Sequence, residues 1–332
     1  MVIFSGIQPT GRKHLGNYIG AILNYVKGQD KADPAIYCIV DLHGTTVQYD
    51  PAELRQRTRD TAALLVAAGL DPERCVLFRQ GDVQEHSELC WLLSSVTSVG
   101  QLNRMHQFRD KAGAARERAS AGLLFYPVLM AADVLAYRAN EVPVGEDQRE
   151  HIELMRDVAG AFNKRFGDTL AVPEGNIPTV GARVRDLKEP ERKMSTTGGT
   201  PAGTVYVDEE PESIVKKFKK AVADSGSEIV VADDKPGISN MIEILAVVRD
   251  VTPADIEREF AGSGYGTFKT AVGEEVAAWL APVREKYLEI REDTAAIESF
   301  LELGAEKARA LAAPVVADVR EAMGVGPVRT PA

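Results

Sequence analysis

Over roughly the first 80 residues, apolar runs of strand character alternate with helical segments. "VIFS" (2–5) predicts a short buried strand, and a helix is predicted from Asn17 to Lys27. "AIYCIV" (35–40) is a β-branched run and predicts a second strand. The stretch "DPAELRQRTRDTAALLVAAGL" carries helix signals at both ends. Asp50 can cap, Pro51 suits the first helical position, Glu53 would complete a capping box and Gly69 can end the helix. "CVLFR" (75–79) predicts a third strand. This βαβαβ order implies an α/β fold with a doubly wound parallel sheet that binds ligands at its carboxyl edge. Residues 84–166 are predicted mainly helical, "IPTVGARV" (177–184) restores strand character, and 189–203 is a loop rich in Gly and Pro. Helices are then predicted over 210–223, 238–249, 253–261, 267–292 and 304–323, with Pro314 kinking the last. The boundary is expected near residue 204. It divides a Rossmann-type nucleotide-binding domain (1–204) from a C-terminal α-helical domain (205–332).

Composition narrows the function classes. The chain has 332 residues, 45% hydrophobic, enough for a large core. The start "MVIFSGIQPTG" lacks the basic residues and apolar length of a signal peptide. No apolar stretch reaches the ~20 residues that span a bilayer, and the longest, Leu123 to Tyr137, contains Pro127 and Asp133. Cys38, Cys75 and Cys90 lie in apolar segments without a CxxC pair, and the histidines lack HExxH spacing. Reduced thiols in a cytoplasmic setting fit, and neither zinc nor an Fe–S cluster is expected. A net charge of −10 argues against non-specific nucleic-acid binding, though not against a local basic face. The clusters at 104–118 and in "VKKFKK" (215–220) read most simply as solvated helix faces.

A nucleotide-binding sheet needs an element that contacts phosphate. Neither GxxxxGK[ST] nor a GxGxxG after the first strand is present. The chain leaves that strand through "SGIQPTGRKHLGNYIGA", where Gly6 and Gly11 permit turns and Gly16 with Asn17 opens a helix whose free N–H groups suit phosphate. By itself the segment reads equally as a plain Gly-rich βα turn. "KMSTT" (193–197) places one lysine, one methionine and three hydroxyls in a polar loop. Asp133 interrupts the apolar "PVLMAADVLAY", where a carboxylate is expensive unless paired or put to use. "GEDQ" (145–148) reads as the start of a helix ending near Phe166, with Asp147 and Glu150 as its capping box.

Taken in order, these segments resemble one family. "HLGN" (14–17) is similar to the HIGH motif of class I aminoacyl-tRNA synthetases, and "KMSTT" to their KMSKS loop. "FSGIQPTG" (4–11), "LMAADVLAY" (129–137) and "VPVGEDQREHIEL" (142–154) resemble the bacterial-type tryptophanyl-tRNA synthetases in particular. The related tyrosyl enzymes usually differ at all three. "KPGISN" (235–240) and "GAEKAR" (304–309) extend the similarity over nearly the whole chain. The resemblance implies a tryptophan–tRNA ligase. Such an enzyme makes tryptophanyl-adenylate and diphosphate from L-tryptophan and ATP with Mg²⁺, then passes tryptophan to the terminal adenosine of tRNA(Trp). The attacking carboxylate is ionised at pH 7, so the step needs positioning and charge stabilisation rather than a general base.

The same resemblance distributes roles. His14, Asn17, Lys111, Lys193 and Ser195 would serve catalysis. Gln8, Pro9, Thr10, Gly16, Gly145, Glu146, Asp147, Val184, Met194, Thr196 and Thr197 would join Asn17, Lys193 and Ser195 around ATP. Asp133 would accept the indole N–H. Phe4, His43, Tyr126, Met130, Val142 and Val144 would form apolar walls, and Gln148 would face the ammonium group. His43 serves equally as a core histidine. Thr196 departs from the motif, which has a second lysine there, so Lys193, Lys111 and Mg²⁺ would carry the leaving-group charge. The helical half would read the anticodon end of tRNA in a homodimer, with 84–99 and 126–139 as candidate interface helices. A tyrosine-specific synthetase, a small nucleotidyltransferase and a non-catalytic paralogue are the alternatives. "GEDQ" and "MAAD" speak against the first, the long helical appendage against the second, and His14, Gly16, Asn17, Lys193 and Ser195 together against the third.

Overall fold

The computed structural model describes residues 1–106, 120–143, 148–176, 184–196 and 198–327. Among the described residues, five parallel strands form one sheet: β1 (Ile3–Ile7), β2 (Ala35–Ile39), β3 (Val76–Arg79), β4 (Glu141–Pro143) and β5 (Glu174–Asn176), in the order β3-β2-β1-β4-β5. β1 pairs with β2 from Ile3 opposite Ala35 to Ile7 opposite Ile39. The chain steps outward from β1 to β3 and then returns to β4 on the other side of β1. This reversal opens the ligand crevice of doubly wound sheets at the carboxyl end of β1, where residues 8–17 leave the sheet. The first three strands fall where the hydrophobic runs predict them. β4 and β5 are not predicted, because "EVP" and "EGN" are three residues each and carry almost no β-branched signal. The strand expected over 177–184 falls mostly on 177–183, outside the described residues, and Val184 itself lies in no strand.

Helix ends obey their caps. The first helix starts at Leu15 rather than Asn17, passes through a π turn at Tyr18–Ile22 and finishes as Leu23–Gly28. The Pro51–Ala67 helix begins as its sequence predicts. Asp50 Oδ1 accepts from the Glu53 N–H at 2.8 Å, and Gly69 turns away with φ 115°. Only that half of the capping box forms, because the Glu53 carboxylate turns outward to Arg57. The helix expected after "GEDQ" is Arg149–Phe166 with Gln148 at its N-cap, and the Glu150 carboxylate accepts from the His106 N–H at 2.9 Å. The helices Pro211–Lys219, Pro236–Arg249, Pro253–Glu259, Tyr265–Glu292 and Thr294–Met323 make up the second half. The last begins ten residues before the predicted 304, because Asp293 both ends one helix and caps the next, accepting from the Ala296 N–H at 2.9 Å. It runs through Pro314 without a break.

Alternate residues of β2 feed two cores. Tyr37 and Ile39 face one with Leu15, Ile22, Leu65, Phe268 and Leu301, while Ile36 and Cys38 face the other with Phe4, Phe78, Val128 and Phe162. The last helix serves both. Ile297 and Leu301 join the first, and Ala308, Ala312 and Val315 the second. It crosses edge strand β3 at Gly304, where a Cβ would stand 1.8 Å from the Leu77 carbonyl oxygen. Glycine is what lets the helix backbone lie on the strand and cover it.

Candidate active site

The segment after β1 and the 193–196 segment meet around one cavity of about 410 Å³. Its walls include Gln8, Thr10, Lys13, His14 and Asn17 from one side and Lys193 to Thr196 from the other. Backbone pairing fixes the meeting. The Leu15 N–H donates to the Val205 carbonyl at 2.8 Å, and the Val207 N–H to that of Lys13 at 3.0 Å. His14 is buried and caps the helix, its Nδ1 accepting from the Asn17 N–H at 3.3 Å while Asn17 Oδ1 accepts from the His14 N–H at 3.1 Å. Burial, then the charges of Lys193 and Lys13, lower the His14 pKa to about 4. The imidazole is therefore neutral at pH 7 and its acceptor nitrogen stays committed to the cap. Lys13 does not stand out in the sequence. It is buried and donates from Nζ to the carbonyls of Gln8 at 2.7 Å and Thr10 at 3.2 Å, which ties down the turn between them.

The loop after Val184 is held by a residue that sequence reasoning does not single out. Asp186, fully buried, accepts from the N–H groups of Lys188, Glu189 and Thr200 at 2.7–3.1 Å and from the Thr200 hydroxyl. These bonds more than offset its burial and lower its pKa. A Cβ at Gly203 would lie 1.7 Å from Asp186 Oδ1, so this glycine answers a close approach. Met194 is buried and its N–H donates to the Val184 carbonyl at 3.0 Å, which leaves Lys193 exposed at the mouth and Thr196 beside Gly11. Ser195 Oγ accepts from the Gly198 N–H at 3.2 Å.

Asp133 sits on the opposite core, 1% exposed, at the centre of a polar cluster. Its Oδ1 accepts from Gln80 Nε2 and from His86 Nδ1, both at 2.6 Å, and Oδ2 lies 2.9 Å from His43 Nε2. His86 Nε2 is 2.6 Å from the Tyr137 hydroxyl. Burial raises the Asp133 pKa, but the hydrogen bonds and charges of His43 and His86 outweigh it and hold the carboxyl at about 2. Tyr126, whose ring is 6.1 Å from that of His43, and Phe4, stacked at 5.6 Å on Tyr137, join the same core with Val142, and Met130 packs against it. Gln80, His86 and Tyr137 are not expected here from the sequence. Polar residues beside an otherwise apolar strand and helix are the only sign of them.

Of the expected residues, the structure thus brings together Gln8, Thr10, His14, Asn17, Lys193, Met194, Ser195 and Thr196 in one cavity. Pro9, Gly16 and Val184 do not line it. Phe4, His43, Tyr126, Met130, Asp133 and Val142 gather in the second region. Gln148 is half-buried at its helix cap. Lys111, Val144, Gly145, Glu146, Asp147 and Thr197 lie outside the described residues. Among the described residues no helix is long and apolar enough to cross a membrane.

A doubly wound sheet, a capped helix start and a lysine-bearing segment facing each other across one cavity suit an enzyme that binds a nucleotide. The profile of the family described as "tRNA synthetases class I (W and Y)" matches residues 1–281, and the chain belongs to that family. Within it, the chain is 46% identical to "Tryptophan--tRNA ligase 2" of Streptomyces avermitilis over 98% of both chains. It is 43% identical to the tryptophan–tRNA ligase of Wolinella succinogenes, over 97% of this chain and 98% of that one. Among solved structures, the tryptophanyl-tRNA synthetase of Mycoplasma pneumoniae superposes with a TM-score of 0.89 at 34% identity, covering 98% of each chain. That of Campylobacter jejuni, complexed with ADP and tryptophan, superposes with 0.82 at 32% identity over 98% of this chain and all of that one.

Proposed function

We propose that the chain is a tryptophan–tRNA ligase, which activates L-tryptophan with ATP and then esterifies the terminal adenosine of tRNA(Trp). The observation that carries this reading is the cavity joining His14 and Asn17 to Lys193 and Ser195, on the switch-point side of the sheet. The ATP triphosphate would lie there, against the turn Gln8–Thr10 and the helix start, with Lys193 at the leaving diphosphate and Mg²⁺ arriving with ATP as part of the substrate. Residues Gly145 to Asp147 and Thr197 would complete the nucleotide site, and Lys111 would share the leaving-group charge. A neutral His14 cannot add positive charge. Its part is to hold the helix N–H groups in place by capping, which positions donors without reorganisation during the step.

Asp133 would select tryptophan. Two of its hydrogen bonds fall on Oδ1 and one on Oδ2, which leaves Oδ2 a further acceptor position for the indole N–H. Gln148 would face the substrate ammonium group, and Val144 would line the wall with Val142. Residues 1–204 would carry out activation and 205–332 would read the anticodon end of tRNA, in a cytoplasmic homodimer. Tryptophan-dependent exchange of labelled diphosphate into ATP, then charging of tRNA(Trp), tests the reading. Exchange with tyrosine and not with tryptophan would overturn it.

A further inference from the structure

A second cavity, of about 210 Å³, lies between the Gly11–Lys13 segment and the helices Pro51–Ala67 and Tyr265–Glu292. It is far larger than the roughly 15 Å³ needed by a single water. Four cations line it, Arg12, Lys13, Arg57 and Arg291, against two carboxylates, Asp60 and Asp208. The carboxylates are already taken. Arg12 donates to Asp208 at 2.7 Å and Arg291 to Asp60 at 2.7 Å. Lys13 and Arg57 are left over. Lys13 has no ion-pair partner among the described residues, and only two of its three N–H donors are used, on the Gln8 and Thr10 carbonyls. Among the described residues, Arg57 makes only a long ion-pair contact, 3.4 Å, to the exposed Glu53, which lies outside the cavity. A third donor stands beside them. Tyr287 is 5% exposed, lines the cavity, and its hydroxyl makes no hydrogen bond among the described residues.

We infer that this cavity is a binding site for a small phosphate-class dianion, held by Lys13, Arg57 and Tyr287. One cation without an ion pair, a second with only a long and exposed one, and an unused hydroxyl facing the cavity match the charge and the acceptor oxygens of a phosphate group. Burial, then the repulsion of Arg57, lower the Lys13 pKa to about 8, and an anion between the two cations would relieve that repulsion. Lys13 is also a wall of the triphosphate cavity, whereas Arg57 and Tyr287 belong only to this one. The inference does not depend on which amino acid the enzyme activates.

The test keeps the full chain saturated with a non-hydrolysable ATP analogue and Mg²⁺, so that the triphosphate cavity is filled. Inorganic phosphate is then titrated while the unfolding temperature and the phosphorus NMR line width are monitored, against chloride at equal ionic strength. The site predicts a saturable response to phosphate and not to chloride, weakened about tenfold or more in Tyr287→Phe and in Arg57→Gln, and less in Arg57→Lys. Each variant is first compared with the parent without phosphate, to show that it folds. Diphosphate exchange at low phosphate is expected to be unchanged in Arg57→Gln. No saturable response in the parent protein, an equal response to chloride, or one untouched by both Tyr287→Phe and Arg57→Gln would overturn the assignment.

Discussion

Asp133 stays ionised inside an apolar core because Gln80, His43 and His86 each direct a hydrogen-bonding group at it. Replacing it by Asn puts an N–H₂ group where one of those donors points, so the cluster loses a bond and leaves polar groups unmatched. Asp133→Asn is expected to lower tryptophan-dependent exchange about 100-fold or more, with ATP affinity changed less than about threefold. Equal loss of both would mean that Asp133 only holds the core together. Its acid behaviour is set by the direction of its shift. The folded pKa of about 2 is below the unfolded value. The stability it contributes is therefore complete above about pH 5 and is lost as pH falls from about 4 to 2, roughly 2 kcal/mol in all. Acid unfolding of Asp133→Asn should lack that limb. Thr196 tests the other cavity. It lies beside Gly11 at the place of the motif's second lysine, and Thr196→Lys should speed exchange and weaken its Mg²⁺ dependence. An unchanged rate and unchanged dependence would remove that idea. A lone acid in an apolar helix makes Asp133 legible in the sequence. Its partners Gln80 and His86 are not legible, because they arrive from the turn and the helix that follow β3, and Lys13 looks like one more surface charge beside Arg12.

Elements are legible where they are long and capped, and obscure where tertiary contact defines them. Asp50, Pro51 and Gly69 delimit their helix from sequence alone, whereas β4 and β5 exist only because β1 offers a free edge to extend. The glycines divide in the same way. Those of the 198–203 stretch read as loop flexibility, yet Gly203 is required by the Asp186 carboxylate pressed against it. Gly304 looks like an indifferent helix position and marks the point where the last helix touches the β3 backbone. Gly304→Ala adds a methyl group that the Leu77 carbonyl already excludes, so the helix must lift or β3 must shift. Better helix propensity would return only about 1 kcal/mol, against an expected net loss of about 3 kcal/mol or more from overpacking. Denaturant unfolding of Gly304→Ala against the parent protein measures this, and a neutral or stabilising result would show that helix and strand separate there at little cost.

At the scale of the molecule, the helical half and the sheet half share their cores. Phe268, Leu280 and Leu301 pack with Leu15, Tyr37 and Leu65, and Ala308 and Val315 pack with Phe4 and Phe78. Ion pairs cross the same junction, Arg12 with Asp208 at 2.7 Å and Arg79 with Glu298 at 3.1 Å. The passage from loop to helix signals near 204 is visible in the sequence, but hydrophobic pattern alone cannot reveal that the last helix turns back over β3, because either of its faces could have served a separate bundle. Two halves bound through two shared apolar cores should not melt apart. Calorimetry of the full chain is expected to give a single transition whose calorimetric and van't Hoff enthalpies agree, and removing Thr294 to Met323 should expose β3 and abolish cooperative folding of the remainder. Two resolved transitions, or a truncated chain that still unfolds cooperatively and binds ATP, would mean that residues 1–204 are stable without the helical half.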